Sequence, residues 1–305
     1  GAYVMRVQHG DVKIPFPLLT IGGRLRLSGL DDRSISDVLH NLSTKNIRTR
    51  NTILSEVKDS LKSYKSEIQT NFESLTQYER QRGEGRKLPA IIIVLEGASA
   101  TGKSMLAIEF IKDLAATRFI STDSVRMVLR GIMDKGKHPE LFCHTYQAHV
   151  HRQVGPDDLN PVVRGFLAQC EIISPFIKTM AAGIISEGTN AVVEGVHIQP
   201  GTLKNLSDGI IEVLINPDTA THRAMFMGKH ELEKLETVSA DETVRESEFE
   251  ATHAIQEFMI EAAEKSSIQI LPLKDYDKTR KSISSLVVSK TRSLLRAIED
   301  GVTTQ

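Results

Sequence analysis

The stretch Gly97-Ala-Ser-Ala-Thr-Gly102-Lys103-Ser104 fits the phosphate-loop pattern G-x-x-x-x-G-K-[ST] at every fixed position. Its surroundings fit as well. Ala90-Ile-Ile-Ile-Val-Leu95 precedes it, a short apolar run rich in β-branched residues that reads as a buried parallel strand. Met105-Leu-Ala-Ile-Glu-Phe-Ile-Lys-Asp-Leu114 follows, with apolar residues at helical spacing. Strand, glycine loop and helix together bring backbone N–H groups and a helix N-terminus onto a nucleotide's phosphates. The expected nucleotide contacts are Gly97, Ala98, Ser99, Ala100, Thr101, Gly102, Lys103, Ser104 and Met105. Lys103 would reach the β- and γ-phosphates, and Ser104 would hold Mg²⁺. A glycine loop that merely joins a strand to a helix is the alternative, and this context weighs against it. The chain is expected to bind a nucleoside triphosphate.

Outward from the loop, the order becomes strand, helix, strand, helix, which calls for an α/β fold with a parallel sheet covered by helices. Further strands are expected at Arg118-Phe-Ile-Ser121, Ala191-Val-Val-Glu194, Ile210-Ile-Glu-Val-Leu-Ile215 and Ile268-Gln-Ile-Leu271. The long helical stretch between the second and third strands should break at Pro161 and kink at Pro175. A last amphipathic helix is expected near Thr279–Ile298. Residues 1–88 have a different texture. Tyr3–Gln8 and Val12-Lys-Ile14 flank His9-Gly10-Asp11 as a hairpin, and helical patterns follow at Ser34–Leu42, Ile53–Leu61 and Ile68/Phe72/Leu75. Arg80–Pro89 is charged and glycine-bearing and reads as a linker, which divides the chain into a small, mostly helical domain 1–88 and a nucleotide-binding domain 89–305.

The 305 residues carry a formal net charge of -1, which supplies neither the basic field of a nucleic-acid binder nor an acidic tail. No apolar run approaches the ~20 residues of a membrane span. Cys143 and Cys170 are the two cysteines, too far apart for a C-x-x-C site, so a reducing cytoplasm is the expected setting. No secretory signal pattern is present at the N-terminus.

Asp123 follows the second strand, where ligands bind in open parallel sheets. Arg126 and Arg130 recur at i+3 and i+7, so the three share one helical face. A carboxylate that orients a hydroxyl, beside two guanidinium forks, suits a small anionic alcohol. Equally, Asp123 could cap its helix and the arginines could be solvated. Glu194, at the end of the third strand, is placed to hold Mg²⁺ or its water, or to bond backbone amides. His144, His149 and His151 lack a neighbouring acid or thiol at ligand spacing and read better as polar helix positions than as a metal site. Met225, Met227, Phe258 and Met259 read as packing residues. The charged tract His230–Glu250 is a solvated helix face or a mobile lid.

Taken together, Gly97–Ser104, Ser121-Thr-Asp-Ser-Val-Arg-Met-Val-Leu-Arg130, Thr145-Tyr-Gln-Ala148 and Val192-Val-Glu-Gly-Val-His197 resemble the archaeal 2-phosphoglycerate kinase family over most of the chain. The resemblance implies ATP and Mg²⁺, a core sheet of five parallel strands in the order 2-3-1-4-5, and an N-terminal domain of the ATP-cone type. It also implies an acceptor site built from Asp123, Arg126, Arg130, Tyr146, Glu194 and His197. Two of the family's arginine positions differ: Met225 stands in the His222-Arg-Ala-Met-Phe226 stretch, and His253 ends Phe249-Glu-Ala-Thr-His253. Arg223 is expected to stand in as the lid cation at the transferred phosphate. Losing fixed guanidinium forks shifts the expected acceptor towards mevalonate 3-phosphate, whose 5-kinase resembles this group, with 2-phosphoglycerate as the alternative. A nucleotide sensor without turnover is the reading from another class, and the acceptor-like Asp123, Arg126 and Arg130 argue against it.

Overall fold

A computed structural model describes residues 4–17, 19–45, 49–233 and 241–301. Their contacts gather into two compact units. The first comprises Gly1–Pro89, Phe110–Ala116 and Arg280–Gln305. The second comprises Ala90–Glu109 and Thr117–Thr279.

The first unit opens with strands β1 (Val4–His9) and β2 (Val12–Pro17), paired antiparallel, with Val7 opposite Ile14. Tyr3, expected in the hairpin, lies outside the described residues. Four helices follow: α1 (Leu19–Leu27), α2 (Asp32–Ser43), α3 (Arg50–Leu61) and α4 (Ser66–Gly83). The α2 and α3 helices begin where side chains satisfy their first amides. Asp31 accepts from Ser34 N at 2.8 Å, and Thr49 accepts from Thr52 N at 3.2 Å. Ile21, Leu25, Ile35, Leu39, Ile53, Val57 and Phe72 are buried in one core. The sequence reading missed α1, because Gly22-Gly23 lowers its helix propensity. Tertiary packing accounts for one of them. A Cβ on Gly23 would stand 2.7 Å from the carbonyl oxygen of Asp113, so the α1 backbone needs glycine there. The expected linker is shorter than read, since α4 runs through Arg80 to Gly83.

In the second unit, β3 (Ile92–Glu96) leads through the phosphate loop into α5 (Lys103–Asp113), whose end from Phe110 on belongs to the first unit, followed by β4 (Arg118–Ser121) and α6 (Thr122–Ile132). Two short 3₁₀ turns, Pro139–Leu141 and Thr145–Val150, precede α7 (Pro161–Glu187). Then come β5 (Ala191–Gly195), β6 (Ile210–Asn216), α8 (Thr219–Glu233), α9 (Glu242–Lys265) and β7 (Gln269–Pro272), while α10 (Tyr276–Glu299) belongs to the first unit from Arg280 on. The five strands form one sheet in the order β4-β5-β3-β6-β7, all pairs parallel. The expected 2-3-1-4-5 counted core strands only. In whole-chain labels the order differs, because the hairpin takes the first two numbers. β3 and β5 are buried at every residue, as their continuous Val/Ile runs require. Pro161 begins α7 rather than interrupting a helix, since a first-turn proline gives up no intrahelical bond. Pro175 lies inside α7, which continues to Glu187.

Candidate active site

The carboxyl ends of β3, β4 and β5 meet in register, with Leu95 beside Glu194 and Ser121 beside Glu194 on its other side. A cleft of about 680 Å³ opens above them. It is lined by Ser99, Lys103 and Ser104 of the phosphate loop, by Asp123, Arg126 and Arg130 of α6, and by Tyr146, Glu194 and Lys229. The parallel sheet thus brings residues from five separate segments into one cavity.

The phosphate loop is held in shape by its own side chains. Lys103 Nζ donates to Ala98 O at 2.6 Å and to Thr101 Oγ1 at 3.2 Å. Burial lowers the Lys103 pKa, while the charges of Glu194 and Asp123 oppose that shift. From α9, Gln256 accepts the amide of Ala98 at 2.8 Å and donates to Ile215 O at 3.0 Å, tying the loop to β6.

On the facing side, Ser121 caps α6 by accepting from Ser124 N at 3.4 Å. Asp123 is therefore not consumed as the helix cap, and its carboxylate is two-thirds exposed (67%). It lies 3.3 Å from the Arg126 guanidinium. Partial desolvation within the cleft works to raise the Asp123 pKa, but the cations Arg126, Lys103 and Lys229 outweigh it and hold the carboxyl below its ordinary value. Arg126 and Arg130 both donate to Cys143 O, at 3.3 and 3.1 Å, and Arg130 also donates to Leu141 O at 2.5 Å. Each guanidinium has five N–H donors, so both keep donors for an anion. Glu194 is raised above the usual carboxylate range by burial, against the pull of Lys103.

β5 and α6 approach closely at Gly195, whose φ of +151° suits glycine. A Cβ there would stand 1.9 Å from Thr122 Oγ1.

Among the described residues, no group of three or more His, Cys, Asp or Glu is arranged to hold a metal. His144 stacks on Tyr146 instead, with ring centroids 5.1 Å apart. The residues present do fit a nucleotide–Mg²⁺ complex. Mg²⁺ needs one or two protein oxygens alongside phosphate oxygens, and Ser104 and Glu194 line the same cleft as Lys103. No helix among the described residues is long and apolar enough to cross a membrane.

Several expected site residues stand elsewhere. His197 is fully buried and does not line the cleft. Its Nε2–H donates to Gln169 Oε1 at 2.8 Å, and its Nδ1 lies 3.2 Å from Thr122 Oγ1, so it braces α6 against α7. Burial pushes its pKa down to about 3, leaving it neutral. Arg223 pairs with Glu246 and does not line the cleft. The cation that α8 supplies to the cleft is Lys229, which the sequence reading passed over. The Met105 side chain is exposed and also outside the lining. Of the expected lid, residues 234–240 lie outside the described residues, and α8 and α9 end and begin on either side of them.

No family model matches the chain. Curated proteins do. A 2-phosphoglycerate kinase from Methanopyrus kandleri is 27% identical over 295 residues, covering 94% of this chain and 88% of that protein. One from Pyrococcus horikoshii is 24% identical over 293 residues, covering 95% of each chain. A third, from Methanothermobacter thermautotrophicus, is 27% identical over 218 residues and covers 69% of each. The chain is thus similar to archaeal 2-phosphoglycerate kinases over most of its length.

This similarity fits the alternative acceptor, 2-phosphoglycerate, better than the expected mevalonate 3-phosphate. The relatives named here are 2-phosphoglycerate kinases, and nothing among them supports mevalonate 3-phosphate. The argument for the longer acceptor rested on Met225 and His253. Neither side chain lines the cleft, where Lys229 of α8 supplies a cation instead.

Proposed function

We propose that this chain is an ATP-dependent kinase that phosphorylates the free primary hydroxyl of 2-phosphoglycerate, giving 2,3-bisphosphoglycerate. One observation carries the reading: Lys103 of the phosphate loop and the Asp123–Arg126–Arg130 face of α6 line a single cleft, in a chain whose curated relatives are 2-phosphoglycerate kinases. A short acceptor bearing a carboxylate and a phosphate suits two guanidinium forks at one end of a polar cavity.

The phosphate loop and the N-terminus of α5 would hold the β- and γ-phosphates, and Ser104 and Glu194 would hold Mg²⁺ directly or through water. Bound Mg²⁺ would offset the negative charge of the phosphate oxygens. Arg126 and Arg130 would bind the acceptor's anionic groups and present its hydroxyl to Asp123. With its pKa held low, Asp123 is a weak base, so its main work is to orient the hydroxyl and to take up the proton late in the transfer. Lys103 and Lys229 would stabilise the charge spread over the transferring group.

A coupled ADP-release assay tests the reading directly. 2-Phosphoglycerate and mevalonate 3-phosphate are compared at equal Mg²⁺ and ATP. A clear preference in kcat/KM for 2-phosphoglycerate is expected, and turnover with neither acceptor would overturn the proposal.

A further inference from the structure

Arg126 and Arg130 are seated on a turn that a buried glutamine holds from outside the cleft. Gln169, on α7, and His197, just past β5, are both fully buried, and neither lines the cleft. Gln169 Nε2 donates to Glu140 O at 2.6 Å and to Cys143 O at 3.3 Å. Cys143 O is the same oxygen that receives both arginines. Gln169 Oε1 accepts from His197 Nε2 at 2.8 Å, and His197 Nδ1 lies 3.2 Å from the hydroxyl of Thr122, the first residue of α6. The contacts close a ring that runs from the arginines of α6 to the turn 140–143, on to α7, to the end of β5, and back to α6.

Counting donors and acceptors fixes every link. Carbonyl oxygens only accept, so the amide nitrogen of Gln169, not its oxygen, must face Glu140 and Cys143. Gln169 Oε1 then faces His197 and also only accepts, so His197 carries its hydrogen on Nε2. Neutral His197 offers Nδ1 as an acceptor, and the Thr122 hydroxyl donates to it. Both Gln169 donors are thus spent on the turn. Cys143 O has two lone pairs and three donors around it: Arg126, Arg130 and Gln169. When an anion draws both guanidinium groups away, the Gln169 donor remains. The carbonyl then stays satisfied, and the cost of releasing the arginines to a ligand falls.

We propose that Gln169 and His197 are positioning residues for the acceptor's anion site. Gln169 fixes the turn 140–143 on which Arg126 and Arg130 are seated, and His197 holds the Gln169 amide in the one orientation that can do so. Neither residue lines the cleft, so the strut acts on acceptor binding through the arginines and spares the phosphate loop. This role rests on Arg126 and Arg130 being the anion site proposed above, and the test separates it from the identity of the acceptor.

Cys143 reports on the turn directly. It lines the cleft, its Sγ donates to Glu140 O at 3.4 Å, and Cys170, the other cysteine, is buried. Alkylation by iodoacetamide is followed at each cysteine by mass spectrometry in the wild type, Gln169→Met, His197→Leu and His197→Gln, with the phosphate loop saturated by Mg²⁺–ADP. Gln169→Met keeps the side-chain length and loses both donors. Cys143 should then react about tenfold faster while Cys170 stays unlabelled, on the scale of one or two neutral hydrogen bonds. Inorganic phosphate should slow the labelling of Cys143, and its half-protecting concentration should rise about tenfold in Gln169→Met. In steady-state assays the same variant should raise KM for 2-phosphoglycerate about tenfold and keep KM for ATP within about twofold. His197→Leu should repeat these effects. His197→Gln, whose amide can still donate to Gln169 Oε1, should recover most of the acceptor affinity. Unchanged Cys143 labelling and unchanged acceptor KM in Gln169→Met would overturn the strut, and so would equal acceleration at both cysteines. A wild type that leaves 2-phosphoglycerate unphosphorylated would remove that acceptor alone. Phosphate protection would then decide the strut, and equal half-protecting concentrations in wild type and Gln169→Met would overturn it.

Discussion

Lys229 Nζ lies 3.3 Å from Ser99 Oγ, so α8 delivers a second cation to the phosphate loop beside Lys103. Arg223, six residues earlier on the same helix, is paired with Glu246 outside the cleft. A helix turns ~100° per residue, so one helix cannot aim both side chains at the same cavity unless their spacing is i+3, i+4 or i+7. Lys229→Ala should therefore lower kcat by about 10- to 100-fold, in the range seen for a group that stabilises transition-state charge. Arg223→Ala breaks an exposed ion pair and should change kcat less than about threefold. Steady-state kinetics on the two variants decides between them, and the reverse ranking would return Arg223 to the site.

Asp123 is free of capping duty and faces Lys103 across the cleft. Asp123→Asn keeps the shape and the contact with Arg126 but removes the proton acceptor. Mg²⁺–ATP affinity should stay within about threefold, while kcat falls by ~10²-fold or more. Near-normal turnover in this variant would remove Asp123 from the mechanism.

How much of this was readable from the chain depends on the distance over which each feature is specified. The phosphate loop and the Asp123–Arg126–Arg130 face are local patterns, set by eight contiguous residues and by helical spacing, and both line the cleft. Lys229 was hidden because nothing local says which face of α8 meets the loop. The contact between His222 and His253 spans 31 residues, and only the packing of α8 on α9 creates it. His197 was misread for a related reason. Its place just past β5 was legible, but Thr122, Gln169 and Thr145 close around its ring from three other segments. α1 was lost to its glycines, which propensity penalises and the close approach to Asp113 requires.

That approach has an electrostatic partner. Arg26 on α1 bonds Asp113 at 2.9 Å, and the Asp113 side chain is fully buried. Removing one member of a buried pair leaves the other charge desolvated and uncompensated. Arg26→Ala should cost about 3 kcal/mol, and chemical denaturation would measure it. Arg26→Lys should recover only part, since Arg26 also forks onto Asp32 through Nε and the terminal nitrogen. A loss below ~1 kcal/mol for the alanine variant would mean that Asp113 is otherwise satisfied.

Glu96 ends β3, directly before the phosphate loop, and its side chain is fully buried. Burial raises its pKa well above the carboxylate range, and the Glu212 carboxylate beside it adds to the shift. Glu212 keeps its charge more readily, because it accepts the amides of Gly201 at 2.5 Å and Leu203 at 3.2 Å. The proton of the pair therefore rests on Glu96. The sign of the linkage follows. An unfolded glutamate loses its proton near pH 4.3, while folded Glu96 keeps it to a much higher pH. Over that window the folded state binds more protons, so stability is complete at low pH and falls as pH rises, by up to ~1.4 kcal/mol per unit. Glu96→Gln is close to isosteric and cannot ionise, so it should lose that slope. Melting temperatures at pH 5, 7 and 9 should show the variant gaining on the wild type with each step, with the largest advantage at pH 9. Parallel curves for the two proteins would mean that Glu96 ionises in the folded state as readily as in the unfolded chain.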